Sequence, residues 1–401
     1  MFDAAAGLLP TAVSIAPVRL LKSRRHLQKG HPAVKETPIR FVMVGGFLGA
    51  GKTTLISRLA RRFQQDGKHV CVVTNDQAAG LVDTELLRSQ GLEVNEVAGS
   101  CFCCNFDGLT GAMEAFETRQ RPDVILAEPV GSCTDLVATI ALPMMERLGE
   151  KFVQSPYAVV LKPSHGRKIL SGAGGGFSAK AEYIFRKQLE ESELLLLNRV
   201  DELSESEVEE ISGLVAEQYP GRAMIGLSAK TGENLETLYQ ALANPAAARS
   251  LTIEVDYDVY AEGEAELGWL NATVRFESAE PFELDRLSVA LVDDLREQFQ
   301  KIQAEPGHLK VLCGDGDGSV SVANLIDGDS STVLSVAAER QVSSADAVIN
   351  ARVRLAPAEL QQLVEATVRR AGTTVSASAQ IQQIESFRPG RPVPTHRMSL
   401  N

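Results

Sequence analysis

The chain has 401 residues, 44% hydrophobic and 23% charged, ordinary for a globular protein and enough for two or three domains. Its net charge of -12 is uneven: residues 1–40 hold seven basic and two acidic side chains, a local +5, so the remainder carries -17. A body that acidic repels phosphate backbones, which argues against nucleic acid as a partner, and no apolar run reaches the roughly 18 residues of a membrane span.

The apolar stretch 4–21 is broken by Pro10 and Pro17, and its positive charges (Lys22, Arg24, Arg25) follow it instead of preceding it. Residues 1–37 are therefore expected to be a mobile N-terminal extension, with a targeting peptide as the alternative. From residue 38, short apolar strands at 39–44, 69–74, 92–97, 123–127, 157–161, 194–197 and 223–227 alternate with helices at 52–63, 108–118, 180–191 and 234–242. That alternation predicts an α/β domain over 38–245, with a mainly parallel sheet covered on both faces. Residues 172–176 read as a flexible loop and 244–248 as a boundary, where Pro245 stops the helix.

Past the boundary the character changes. Strands are expected at 268–276, 308–313, 319–325, 332–336 and 347–354, a long amphipathic helix at 283–300, and a second helix at 358–370 opened by Pro357. This order predicts a smaller α+β domain over 249–372, with an antiparallel sheet and helices on one side. The Ser-, Gln- and Pro-rich tail, 373–401, is expected to be disordered.

The strongest motif runs from Gly46 through Gly49, Ala50, Gly51 and Lys52 to Thr53, fitting G-x-x-x-x-G-K-[ST] between a strand and a helix. Its glycines let backbone N–H groups wrap a β-phosphate, and the helix N-terminus adds favourable partial charge. Lys52 would bridge the β- and γ-phosphates, and Thr53 would ligate Mg²⁺. This is a P-loop NTPase signature.

Asn198-Arg199-Val200-Asp201 follows the apolar run 194–197, at a strand end that lines a ligand crevice. It resembles the NKxD guanine motif of GTPases, with Arg199 in place of Lys. A carboxylate at Asp201 accepts from guanine N1–H and the 2-amino group, a donor pair adenine lacks. Ser228-Ala229-Lys230 resembles the SAK loop that contacts the guanine carbonyl. The three motifs in this order point to GTP.

Two acids after the second strand, Asp76 and Asp83, and Glu128 after the fourth suit Mg²⁺ ligation or orientation of an attacking water. Helix capping is the plain alternative for Asp76 and Asp83. Gly131 could bring its backbone N–H to the γ-phosphate. Between these acids lie Cys101, Cys103 and Cys104, three of the six cysteines within four residues. So tight a cluster suits Zn²⁺, Co²⁺ or Ni²⁺ in a reducing, cytoplasmic setting better than a disulfide framework. From a single strand, three such thiols cannot easily fill three tetrahedral corners, so further ligands are expected from elsewhere or from a second subunit. A redox pair or inert core thiols are the alternatives, and Cys133 reads as a core cysteine, with a further ligand as its alternative reading.

On the stretch from Gly46 to Thr54, Asn75-Asp76, the cysteine cluster, Glu128 to Gly131, and Asn198 to Asp201, residues 39–243 resemble the CobW-like metallochaperone GTPases. These are relatives of the urease and hydrogenase nickel-insertion GTPases. The resemblance implies slow GTP hydrolysis, GTP-dependent homodimerisation, and delivery of a divalent metal or cobalamin cofactor to a client enzyme. Ser100 before the first cysteine and Asp76 in place of Glu depart from the family pattern. The expected mechanism is a switch: GTP holds Asp76, Glu128 and Gly131 around Mg²⁺ and so assembles the thiol site. The rivals are a gatekeeper GTPase for a cobalamin-dependent enzyme, with structural cysteines, and a non-catalytic metal or redox sensor that uses GTP to dimerise.

Overall fold

The computed structural model describes residues 37–78, 80–173, 177–243, 252–328 and 330–399. The N-terminal extension expected before Thr37, the boundary at 244–248 and most of the loop at 172–176 lie outside the described residues.

The first sheet is built from β1 (Ile39–Gly46), β2 (Val70–Asn75), β3 (Glu93–Val97), β4 (Val124–Glu128), β5 (Phe152–Gln154), β6 (Ala158–Leu161), β7 (Leu194–Leu197) and β8 (Ala223–Gly226). Its order is β3-β2-β4-β1-β6-β7-β8, with every pairing parallel. The short β5 and β6 share one edge of β1: Ile39–Phe41 face β5 and Val44–Gly46 face β6. Alternate residues of β1 and β4 feed two separate cores. Phe41, Met43, Ile125 and Ala127 pack on one face, and Val42, Val44, Val124 and Leu126 on the other. The connecting helices are α1 (Lys52–Gln65), α2 (Val82–Ser89), α3 (Phe106–Glu117), α4 (Leu142–Leu148), α5 (Pro163–Leu170), α6 (Ala179–Glu191), α7 (Glu205–Gln218) and α8 (Leu235–Ala243). Among them α2, α4, α5 and α7 carry no strong sequence signal. The first three are short, and α7 buries only Ile211 and Val215.

The second sheet follows α9 (Tyr257–Glu264) and comprises β9 (Gly268–Glu283), β10 (Pro306–Gly314), β11 (Val320–Leu325), β12 (Val333–Val336), β13 (Gln341–Val353) and β14 (Ser378–Phe387). It is antiparallel, in the order β12-β11-β10-β13-β9-β14. α10 (Leu284–Ile302) and α11 (Pro357–Thr374) cover one face. Leu284, Leu287, Leu291, Leu295 and Phe299 of α10 recur at helical spacing and bury against Leu309, Val311, Ile349 and Ala351. Lys310 and Asn350, between those strand positions, point to the other face and bond Asp83 and the Val82 N–H beside the first sheet. Residues 38–401 make a single compact unit.

The expected disordered tail is corrected here. Thr373 and Thr374 end α11, and Ser378–Phe387 pairs with β9 as the edge strand β14. Polar composition misled because an edge strand buries only alternate residues, here at intermediate depth. Among the described residues no helix is long and apolar enough to cross a membrane.

Candidate nucleotide and metal site

Parallel pairing brings the C-terminal ends of β1, β2, β4 and β7 to one edge of the sheet. Between β1 and α1 the P-loop turns through Gly46, Gly49 and Gly51, all at positive φ (134°, 71° and 97°) where side chains are disfavoured. Lys52 Nζ donates to Gly46 O at 3.0 Å. A Cβ on Gly131 would lie 2.8 Å from Leu48 Cδ2 and 3.1 Å from Lys52 Nζ, so the glycine lets this segment approach the P-loop closely. Burial lowers the Lys52 pKa, opposed by Glu128.

Thr53 Oγ1 lies 2.6 Å from Asp83 Oδ1 and 3.0 Å from Glu128 Oε1. One hydroxyl hydrogen cannot satisfy two carboxylates, and Glu128 Oε2 is buried with no partner. Burial and the Asp83 charge push Glu128 up to about 7. An orphaned carboxylate oxygen beside a P-loop threonine and a second acid is a donor set that fits Mg²⁺. Of the two candidate acids, Asp83 faces Thr53. Asp76 instead accepts from Arg352 of β13 at 2.5 Å and from the Gln77 N–H at 2.7 Å. Of the two acids after β2, Asp83 is the one beside the Thr53 hydroxyl, while Asp76 lines the same cavity with its carboxylate on Arg352.

Asn198, closing β7, ties the base-side loops together. Its Nδ2 donates to Ala50 O at 2.8 Å, and its Oδ1 accepts from Arg199 and Ala229 N–H. Arg58 of α1 donates to the carbonyls of Ala229 and Lys230, and Ser228 Oγ accepts from Thr231 N–H. Thr54 lines the same cavity as Lys52 and Thr53. Arg199 pairs with Glu202 at 3.3 Å. Asp201 is exposed and does not line that cavity.

The thiols converge more closely than a single strand would allow, because residues 101–104 form a turn before α3. Cys101 Sγ lies 3.0 Å from Cys103 Sγ and 3.2 Å from Cys104 Sγ, and the last two are 3.8 Å apart. A tetrahedral zinc–sulfur set needs about 3.8 Å, given Zn–S bonds near 2.3 Å. Asn75, the last residue of β2, holds this turn: it accepts from Phe102 N–H at 2.7 Å and donates to Ser100 O and Val97 O, both at 2.8 Å. Cys133 joins from the segment after β4. The neighbouring Cys101 and Cys103 lower its pKa to about 6, while Cys103 and Cys104 are raised; the sulfurs that lie within 4.8 Å of one another are those of Cys101, Cys103 and Cys104. The 391–399 segment straps over the turn: Val393 N–H reaches Cys104 Sγ at 3.2 Å, and Thr395 N–H reaches Cys103 O at 2.8 Å.

Residues 40–225 match the family model described as CobW/HypB/UreG, nucleotide-binding domain. This segment is a CobW/HypB/UreG nucleotide-binding domain. The zinc chaperone CobW of a Sinorhizobium species is 25% identical over 218 residues, 48% of this chain and 59% of that protein. The zinc chaperone CobW of Pseudomonas aeruginosa is 25% identical over 240 residues, 52% of this chain and 61% of that protein. The chain thus spans less than two thirds of the length of these curated relatives. Helicobacter pylori HypB in complex with nickel aligns over 54% of this chain and 92% of its own, at 18% identity and a TM-score of 0.39.

Beyond the CobW/HypB/UreG domain, one side chain that reaches the cavity, Lys310, carries no motif in the sequence. Lys310 of β10 donates to both Asp83 oxygens, at 2.6 and 2.8 Å. The available signal was polar alternation: His308 and Lys310, like Asn350 and Arg352, interrupt apolar strands at every second residue. A second cluster, His69, Cys71 and Glu93, sits at the far end of β2 and β3, but there Glu93 already pairs with His69 and Arg119.

Proposed function

We propose that the protein is a GTP-hydrolysing metallochaperone whose thiol site is read by its nucleotide switch. The supporting observation is that the four thiols come from two segments, each anchored at the nucleotide cavity. Cys101, Cys103 and Cys104 hang from Asn75, a cavity-lining residue next to Asp76. Cys133 lies two residues past Gly131, with its N–H on Val130 O at 3.0 Å.

In this reading Gly46, Gly49, Ala50, Gly51, Lys52, Thr53 and Thr54 cradle the phosphates. Asn198, Asp201, Ser228, Ala229 and Lys230 serve the guanine, and Asp201 must turn in from the surface to meet the base edge. Thr53, Asp83 and Glu128 would hold Mg²⁺, which would neutralise phosphate charge and orient the phosphate oxygens. Lys52 stabilises charge on the transferred phosphoryl group, and the Gly131 N–H faces the γ-phosphate. Movement of Gly131 on hydrolysis carries Cys133 with it, and movement of Asn75 carries the 101–104 turn. The thiol set is thereby tighter in one nucleotide state than in the other. Four thiolates favour Zn²⁺, with Co²⁺ the next candidate. Relatives named as zinc chaperones support that cargo. Delivery to a client metalloenzyme and a GTP-dependent homodimer belong to the same reading.

The test is Zn²⁺ affinity, measured by competition with a chromophoric chelator, in the GTPγS-bound and GDP-bound protein. Wild type is expected to differ by about tenfold or more between the two states, equivalent to 1.4 kcal/mol of coupling. Cys133→Ser should weaken zinc binding, and the Cys101/Cys103/Cys104→Ser variant should abolish it. Equal zinc affinity in both nucleotide states would sink the reading.

A further inference from the structure

The face of the second sheet that α10 and α11 leave uncovered carries a polar strip aimed at the segment between β2 and α2. Register makes this strip continuous: Lys310 pairs with Asn350, and Asn350 with Asn271, while His308 pairs with Arg352, and Arg352 with Trp269. Three of these side chains grip residues 76–83. Arg352 bonds Asp76. Asn350 accepts from Val82 N–H at 2.7 Å and donates to Gly80 O at 3.2 Å. Lys310 holds Asp83 through both oxygens. The segment that supplies the Mg²⁺-site acid is thus clamped by residues more than 200 positions downstream.

The three grips differ in kind. Arg352 is buried, stacks at 4.2 Å over Trp269, and also donates to Leu270 O, Asn271 Oδ1 and Ala351 O, so it is fixed in place. Asn350 bonds only backbone. Lys310 is different: Asp83 is its one hydrogen-bond partner among the described residues, and its ammonium stands in the same cavity as Lys52 and Thr53. Asp83 meanwhile already faces the Thr53 hydroxyl. A divalent cation at Thr53 would draw on the same carboxylate and repel the neighbouring ammonium, weakening the hold of Asp83 on Lys310.

We propose that Lys310 is a γ-phosphate ligand supplied in cis by the second sheet, held on Asp83 until Mg²⁺ and GTP occupy the site. When Asp83 turns to the cation, the ammonium loses its partner at a point where the cavity gains a terminal phosphate. A flexible lysine stem suits that exchange, whereas the fixed Arg352 does not. GDP brings no γ-phosphate, so only GTP completes the exchange. The second sheet, through β10, would then report which nucleotide is bound. This inference rests on the guanine-nucleotide reading above and adds a residue and a direction of signalling to it.

The experiment measures dissociation constants of fluorescent GTPγS and GDP, each with Mg²⁺, for wild type, Lys310→Met and Lys310→Arg. In Lys310→Met, GTPγS affinity should fall about tenfold or more while GDP affinity stays within about twofold, and Lys310→Arg should recover most of the loss. Equal losses for both nucleotides, or no loss for either, overturn the proposal. Both variants are checked for a wild-type melting transition. If Lys310→Met melts early, Lys310→Arg and Lys310→Gln supply the GTPγS/GDP ratio instead, and an unchanged ratio in Lys310→Gln overturns the proposal equally. Wild type that binds neither nucleotide would defeat the GTPase reading itself, a result distinct from a mutant with an unchanged ratio.

Discussion

At the scale of single residues, His165 makes the sharpest statement about pH. It is buried between Phe47 and Phe177, with ring centroids 5.9 and 5.3 Å away, and among the described residues neither ring nitrogen has a hydrogen-bond partner. Burial, helped by the Lys162 charge, lowers its pKa to about 3. In the unfolded chain the same ring titrates near 6.5, so between about pH 6.5 and 3 the unfolded state binds a proton that the folded state refuses. Stability therefore falls on acidification through that window, by about 1.4 kcal/mol per pH unit below 6.5. His165→Leu should flatten the loss between pH 7 and 5 by about 2 kcal/mol, read as urea midpoints at each pH.

At residue level the sequence is most legible where the chemistry is local and least legible where it is not. The P-loop is contiguous, and its glycines, lysine and threonine could be assigned from spacing alone. Asp76 and Asp83 could not be told apart, because what separates them is Arg352 and Lys310, contributed by a distant strand pair. Cys133 stood alone in the sequence. Its neighbours at the thiol cluster become visible only once β4 runs beside β2.

Among elements, the end of β2 carries more than its length suggests. Asn75 is buried and satisfies one N–H and two carbonyls of the loop leading to the cysteines. Asn75→Ala would leave those groups unpaired, at about 1–3 kcal/mol, and free the turn that converges the sulfurs. Faster labelling of Cys101 and Cys103 by a thiol reagent, with GDP binding little changed, is the expected result. An unchanged labelling rate would mean that packing of Phe102 alone holds the turn. Most strands of both sheets were legible because apolar runs bounded by turn residues mark them directly. The elements that escaped were α2, α4, α5, α7, α9, β5 and β14, each too short or too polar to present a full buried face.

For the whole molecule, the C-terminal antiparallel sheet is a second domain that packs within one compact unit with the first. Side chains of the second sheet line the cavity beside Lys52 and Thr53, and the chain after β14 lies against the thiol cluster. Arg397 pairs with Asp135 at 2.7 Å, and Met398 N–H reaches Ala138 O at 2.9 Å, fastening that strap. Ending the chain after Phe387 should leave β14 and the nucleotide cavity in place while exposing Cys104. Its modification rate should rise at least several-fold, and GDP affinity should stay near wild type. A rate equal to that of the full chain would show that the strap does not shield the sulfur.

The grip of Arg352 on Asp76 spans 276 positions of sequence. The entropy of closing so long a loop grows only with the logarithm of its length, so a grip delivered from the far end of the chain costs little more than one from nearby. Sequence distance is therefore no barrier to control of Asp76 by the second sheet. An insertion between the two sheets should lengthen that loop without loosening the grip, provided both sheets keep their register.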